Sequence, residues 1–229
     1  MTIVWDTAQG IHTGFRATEH GFRFANCFSW DSVGQLQRWL VARAGIRLLR
    51  LPASALGLCG GMCLAALDLY HAGRRVPTDE APPAPESPLF RYLWRRQLDS
   101  YGGLRVPLRV LAWMWRRDQH VDRLTIAEFV RLQSRLSGGA PTPLVLVRTR
   151  GATDPTANHQ VLALGYTWEP HTRRATIQIY DPNHPLIEPT VSFTLAPGDR
   201  LHDLHQSTGE AVRGFFVEYY RPRAMRLPA

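Results

Sequence analysis

The chain from residue 54 to residue 73 reads S-A-L-G-L-C-G-G-M-C-L-A-A-L-D-L-Y-H-A-G, and the rest of the sequence is organised around it. Cys59 stands among glycines and is followed by a nearly unbroken run of small and apolar residues. Glycine permits close backbone approach, and an apolar surface on all sides is typical of a central, buried helix. The stretch therefore predicts a buried helix with Cys59 at its N-terminus and a stop at Gly73.

Two interpretations of Cys59 follow from that position. A thiol at a helix N-terminus meets unpaired backbone N–H groups and the positive end of the helix dipole, and both favour the thiolate, which is the nucleophilic form. Alternatively, Cys59 is a small packing residue, since free cysteines are among the most buried residue types. Cys63, one turn further along, is assigned a structural role.

The composition limits the classes of protein. A chain of 229 residues with 45% hydrophobic residues supports a sizeable globular core. All 27 basic residues are arginine, so chemistry that needs a lysine amine is excluded, such as a pyridoxal Schiff base or a phosphate-loop lysine. The net charge is +8, but the arginines are spread along the chain without a nucleic-acid-binding motif. This pattern favours a solvated surface, and no nucleic acid is expected as a partner.

Metal and membrane signals are weak. The Cys59 and Cys63 pair lacks two further ligands, and His202 and His205 have no companion cluster, so neither a metal nor an organic cofactor is expected. Three cysteines do not make a disulfide framework. No classical secretory signal is visible, and residues 51–67 are too short and glycine-rich to span a membrane. We expect a soluble protein without stable membrane insertion, cytoplasmic by default, with non-classical secretion or delivery into a host as alternatives.

The hydrophobic period changes near the middle of the chain. Helical patterns occupy residues 30–44, 54–73, 87–101, 106–118 and 125–136. Strand patterns occupy residues 144–147, 160–166, 175–180, 190–195 and 213–220. This segregation predicts an α+β fold. We expect one domain over residues 1–229, with an extended N-terminal segment and a mostly helical lobe to about residue 139, and an antiparallel β lobe over residues 140–229.

A nucleophilic Cys59 needs a base and a group that orients the base. His159 begins a strand in N-H-Q-V-L-A-L-G-Y, whereas His184 lies in a proline-bounded loop in Y-D-P-N-H-P. A strand holds a base more rigidly, so His159 is the better candidate. Asp181 ends the neighbouring strand pattern and can accept a hydrogen bond from the imidazole, with Asn183 as the amide alternative.

These residues resemble a known family. The order Cys, His, Asp, with the cysteine opening a central helix and the other two on later strands, is similar to the papain-like cysteine peptidases. The likeness is closest to the bacterial branch that includes the peptidase domains of bacteriocin-processing transporters, and to related uncharacterised bacterial proteins. It covers about residues 54–185. The resemblance implies a papain-like fold, with a helical lobe and central nucleophile helix packed on a C-terminal antiparallel sheet. It implies the nucleophile Cys59, the base His159 and the orienting residue Asp181.

Two positions depart from the papain pattern. Papain has a glutamine six residues before the nucleophile, where this chain has Ala53, and an aromatic residue after it, where this chain has Gly60. The Cys59 backbone N–H can still stabilise an oxyanion. Ser54 and Asn26 are both candidates for the second donor.

The expected function is a cysteine hydrolase that cleaves a peptide or amide bond of a peptide or protein substrate through a thioester. One alternative is a catalytically inactive papain-like module that binds a peptide or protein partner. The other is a transglutaminase-like acyl transferase, which would pass the thioester to an amine.

Overall fold

A computed structural model describes residues 7–28 and 57–224 of the chain. The helices are α1 (Ala17–His20), α2 (Cys59–His71), α3 (Pro88–Ser100), α4 (Arg105–Met114) and α5 (Asp118–Leu136). The strands are β1 (Gln9–His12), β2 (Thr142–Val147), β3 (His159–Glu169), β4 (Arg174–Tyr180), β5 (Thr190–Ala196), β6 (Arg200–Gln206) and β7 (Gly214–Val217). A 3-10 turn, Pro155–Ala157, precedes β3. The fold is mixed helix and sheet, as the change of period predicts.

One curled antiparallel sheet contains all seven described strands. Six of them follow the order β6-β5-β4-β3-β2-β7, and the seventh, β1, pairs with β3. The long strand β3 pairs with β4 along one edge, while β2 and then β1 share its other edge. Gly165 permits the approach of β1, because a Cβ at this position would lie 2.4 Å from the Ile11 carbonyl oxygen. The N-terminal segment is therefore part of the sheet and does not merely lie over the helical half of the chain.

Helices cover both faces of the sheet. Leu162 and Leu164 of β3 belong to the same apolar cluster as residues of α2 and α3. Val161 and Ala163, which alternate with them, pack in a second cluster with Phe129 of α5 and its neighbours. The strand is thus buried on both sides, and α2 lies on the face opposite α5.

The helix boundaries differ from the sequence prediction around the junction of α4 and α5, since α4 ends at Met114 where the prediction extends to residue 118. Ser87 accepts a hydrogen bond from the Phe90 N–H at 3.1 Å and begins α3 as expected. However, α5 begins at Asp118, and Thr125 lies inside the helix instead of capping it. The first turn of α5 is polar and exposed, so it carries no apolar period. The predicted helix at residues 30–44 lies outside the described residues.

Two strands, β1 and β6, have no counterpart in the sequence prediction. β6 lies at the edge of the sheet and reads R-L-H-D-L-H-Q, with most of its side chains partly or fully exposed. Charged side chains are common on edge strands, and they hide the apolar alternation that marks a buried strand. His202 and His205, considered above as a metal pair, are residues of this strand.

The described helices are either short, as α2 is with its 13 residues, or polar. Helix α5 has 19 residues and is the longest of them, but it is rich in charged and polar side chains. Over residues 7–28 and 57–224, no helix combines the length and apolar character needed to cross a bilayer.

A buried carboxylate joins the helices to the segment after β7. Asp68 of α2 is 3% exposed and pairs with Arg96 of α3, Nε to Oδ2, at 2.8 Å. The Tyr220 hydroxyl and the Arg223 backbone N–H donate to its Oδ1 at 2.8 Å and 2.9 Å. Tyr92 donates to Oδ2 at 2.6 Å. The charge of Asp68 is thus compensated by two other parts of the chain, α3 and the segment after β7.

We predict that Asp68→Asn lowers the free energy of unfolding by about 3 kcal/mol, because the buried Arg96 loses one of its two counter-ions and keeps only the partly exposed Asp99. Urea denaturation followed by circular dichroism measures the change. The matched control is Asp79→Asn in the exposed loop before α3, which should stay within about 0.5 kcal/mol of the native chain. Equal midpoints for the two variants would contradict the prediction.

Candidate active site

The thiol of Cys59 occupies the first residue of α2 and is partly exposed. Burial opposes ionisation of the thiol, but the charge of His159 and a hydrogen bond with its ring favour the thiolate. The backbone N–H groups of Gln160 and Gly60 act in the same direction. Together these interactions lower the pKa of the Cys59 thiol below its ordinary value.

The imidazole of His159 lies between the thiol and a carboxylate. His159 begins β3 and is 5% exposed, and its Nε2 lies 2.6 Å from Oδ1 of Asp181. Burial disfavours the charged ring, but Cys59 and Asp181 outweigh burial and raise the pKa of His159 to about 9. A lowered thiol pKa and a raised imidazole pKa both favour a thiolate–imidazolium pair over the neutral thiol and imidazole.

Asp181 is the group that orients the ring. It is fully buried, yet hydrogen bonds hold its pKa at about 2. The donors are His159, the Asn183 backbone N–H at 2.8 Å and the Gln206 side-chain amide at 2.8 Å. Of the two candidates from the sequence, Asp181 contacts the imidazole, while Asn183 supports Asp181 through its backbone.

Gln206 is a supporting residue that sequence reasoning missed. Its Nε2 donates to Asp181 and also to the Thr208 hydroxyl at 2.8 Å, and its Oε1 accepts from Arg148 at 3.0 Å. These contacts fix the amide so that its donor side faces the carboxylate. The residue closes β6, a strand that the sequence pattern did not indicate.

Asn26 lies beside the N-terminus of α2. Its Oδ1 accepts from the Leu58 N–H at 2.7 Å, and its Nδ2 donates to Oδ1 of Asn183 at 3.2 Å. The Asn26 backbone N–H donates to the Pro182 carbonyl at 2.9 Å. An amide nitrogen carries two hydrogens, so Nδ2 has a second one for another acceptor. Ser54, the other oxyanion candidate, lies outside the described residues.

The glycine after the thiol makes room for a buried polar network. A Cβ on Gly60 would lie 1.8 Å from Oε1 of Gln160 and 2.3 Å from the Ser100 hydroxyl. Gln160 in turn donates through Nε2 to Oε2 of Glu218 at 2.7 Å. An aromatic residue at position 60, as in papain, would occupy the space that this network fills.

Glu218 is an acid in a setting that keeps it neutral. It is 4% exposed, and burial, with a further contribution from the Cys59 charge, raises its pKa to about 8 although the hydrogen bond from Gln160 opposes the shift. At neutral pH the Glu218 carboxyl group is therefore uncharged. A charged carboxylate at this position would disfavour the nearby thiolate. No sequence motif marks Glu218, since its partners lie on β3 and in α3.

The remaining ionisable neighbours have separate partners. His184, the weaker base candidate, pairs through Nε2 with Oε1 of Glu210 at 2.6 Å. Asp181, His184 and Glu210 form a group whose possible ligand atoms lie within 4.8 Å of one another. However, Asp181 already accepts hydrogen bonds from His159 and Gln206, and His184 and Glu210 bind each other. The hydrogen bonds explain this group without a metal ion.

Comparison of the chain with protein-family models, with curated proteins and with solved structures found no match.

We predict that Glu218 makes the protein less stable as the pH rises. The folded chain retains a proton on Glu218 up to a pKa of about 8, whereas the unfolded chain releases it near the ordinary glutamate value. Stability is therefore lost between about pH 5 and pH 8, by at most about 1.4 kcal/mol per pH unit. Glu218→Gln is neutral at every pH, so its advantage over the native chain should grow across this window.

Urea denaturation of the two proteins at several pH values in this window measures the difference. Glu86→Gln, in the exposed loop before α3, is the matched control and should show no such trend. A constant difference between Glu218→Gln and the native chain at all pH values would rule out a buried, protonated Glu218.

Proposed function

We propose that this chain is a papain-like cysteine hydrolase that cleaves a peptide or amide bond through Cys59, His159 and Asp181. The observation that carries the proposal is the 2.6 Å contact between His159 and Asp181 beside a helix-terminal thiol whose pKa is lowered. A buried structural cysteine would instead have a raised pKa, as Cys63 does because of burial. The packing of α2 on an antiparallel sheet supports the papain-like fold.

The reaction would proceed by acyl transfer to the thiol. The Cys59 thiolate attacks the carbonyl carbon, and the resulting oxyanion takes hydrogen bonds from the Cys59 backbone N–H and a second donor. The His159 imidazolium protonates the leaving amine as the C–N bond breaks, leaving a thioester and a neutral imidazole. His159 then removes a proton from water, which attacks the thioester and releases the carboxylic acid and the thiolate.

Asp181 would keep the imidazole in one orientation throughout this cycle. Its Oδ1 engages Nε2 of His159, which leaves Nδ1 for proton transfer with the thiol and the leaving group. The Asn183 N–H and the Gln206 amide hold the carboxylate in place. The carboxylate also stabilises the imidazolium that exists before acylation.

Asn26 is our choice for the second oxyanion donor. Its side chain contacts the residue immediately before Cys59, and Nδ2 has a hydrogen beyond the one donated to Asn183. It would replace the glutamine that papain has six residues before its nucleophile. A turnover step that loses one such donor slows by about a hundredfold to a thousandfold.

We predict that iodoacetamide labels Cys59 faster at mildly acidic pH than it labels an ordinary cysteine, because the lowered pKa of the Cys59 thiol gives a larger thiolate fraction. Mass spectrometry of the labelled peptides follows Cys59 separately, and the exposed Cys27 reports reagent access in the same sample. His159→Ala should slow Cys59 labelling in acid by about tenfold for each pKa unit regained, and leave Cys27 unchanged. Equal labelling of Cys59 in the native chain and in His159→Ala would contradict the proposed ion pair.

The same proteins test turnover against a peptide library, with products identified by mass spectrometry. Cys59→Ala should produce no cleavage. Adding a small primary amine separates the two enzyme classes, because a hydrolase yields free acids while an acyl transferase yields the ligated amide. Labelling without cleavage or ligation would show that the thiol is reactive, but it would contradict the hydrolase assignment.

We also predict that Asn26→Ala lowers kcat by about a hundredfold or more, with Cys59 labelling nearly unchanged, since the donor acts on the oxyanion and not on the thiol. Asn183→Ala is the matched control, because it removes the partner of Asn26 without removing the proposed donor. If both variants lose the same activity, Asn26 acts only by holding the loop after β4.

A further inference from the structure

Helix α4 carries an apolar stripe on its solvent side. Leu104 is 72% exposed, Leu108 60%, Leu111 40% and Trp115 69%. Their spacing of four, three and four residues places them on one face of the helix, along about 16 Å. We call these four residues the α4 stripe. It runs from the N-cap to the C-cap of the helix.

The opposite face of α4 fixes the direction of the stripe. That face packs against β2, β7 and α5 through Val106, Val110, Trp113 and Met114. Arg109 pairs with Glu128 of α5 at 2.7 Å, and Arg213 donates to the Trp113 carbonyl at 2.7 Å. The helix is thus held from both flanks, and the stripe cannot rotate into the core. A row of exposed leucines with a tryptophan on such a rigid support marks an interaction surface.

The surroundings of the stripe are basic. Residues 100–117 contain four arginines and no aspartate or glutamate. Arg105 lies exposed at one end of the stripe, and Arg116 and Arg117 lie exposed at the other. The whole chain carries a net charge of +8. A partner that covers the stripe therefore needs both an apolar interior and a negatively charged surface.

We propose that the α4 stripe binds the surface of a bilayer containing anionic phospholipids, with α4 lying in the plane of the interface. Leucine and tryptophan side chains would enter the boundary between headgroups and acyl chains, while the arginines reach the phosphates. A second copy of this chain would bring another arginine-flanked stripe of the same sign to the interface. An anionic bilayer supplies the opposite charge, and no described helix needs to span it.

The stripe begins beside the candidate active site. Ser100 stands four residues before Leu104, and its hydroxyl lies against the glycine that follows Cys59, since a Cβ on Gly60 would be 2.3 Å from it. A chain seated on a bilayer through α4 would therefore present its thiol close to the membrane surface, to substrates held there. This last step rests on the proposed function, whereas lipid binding through the stripe does not.

The test uses the full chain with Cys59→Ala, so that binding is measured apart from turnover. We expect the protein to sediment with vesicles of mixed phosphatidylglycerol and phosphatidylcholine, less so as salt is raised, and not with phosphatidylcholine alone. Leu108→Ser/Leu111→Ser should lower the partition coefficient roughly tenfold or more. Arg116→Gln/Arg117→Gln should lower it by a similar factor on anionic vesicles.

Matched controls remove the same chemistry elsewhere on the surface. Ile187→Ser removes an exposed apolar side chain from the loop after β4, and Arg91→Gln/Arg95→Gln removes two exposed charges from α3. Both should bind as the parent protein does. Vesicles with brominated acyl chains should quench tryptophan fluorescence, and Trp115→Phe should remove most of that quenching.

Three results would overturn the proposal. The first is the absence of binding to anionic vesicles. The second is binding that the stripe variants and the controls affect equally. The third is a dimer in solution that Leu108→Ser/Leu111→Ser dissociates, which would assign the stripe to a second copy of the chain.

Discussion

The close approach of the first turn of α2 to β3 and α3 is the constraint on which the rest of the structure depends. A Cβ on Gly60 would lie 1.8 Å from the Gln160 side chain, and a Cβ on Gly61 would lie 2.2 Å from the Leu93 carbonyl oxygen. A larger residue at position 61 would push the helix away from the backbone of α3, and one at position 60 would displace the Gln160 and Ser100 side chains. Because the helix begins at this distance, the thiol of Cys59 meets the imidazole at the start of β3. A steric requirement for two glycines thus determines where the chemistry can occur.

The charges around the thiol balance only as a set. A thiolate and a buried Asp181 are both negative, and the His159 imidazolium compensates one of them. A third negative charge at Glu218 would raise the pKa of the thiol. Burial prevents this charge by keeping the carboxyl group protonated at neutral pH. Gln160 and Gln206 supply neutral hydrogen-bond donors where further charges would be costly. The network therefore favours the charged form of the thiol with few other full charges below the surface.

Local sequence patterns predict part of this arrangement. The apolar run after Cys59 predicts α2, Ser87 predicts the start of α3, and the strand positions of His159 and Asp181 predict that they lie near each other. Gln206 and Glu218 could not be found in this way, because their roles depend on partners that are distant in sequence. The polar edge strand β6 also lacks the alternation that identifies a buried strand. Periodicity reports burial within an element, while polar networks depend on which elements meet.

The carboxylate of Asp68 has a consequence for the order in which the molecule is assembled. Its partners Tyr220 and Arg223 are made after every described helix and strand, including β7. A growing chain that has not yet reached them exposes a central helix with an incompletely neutralised carboxylate. The packing of α2, and with it the environment of the thiol, is completed only after this last described segment has been synthesised.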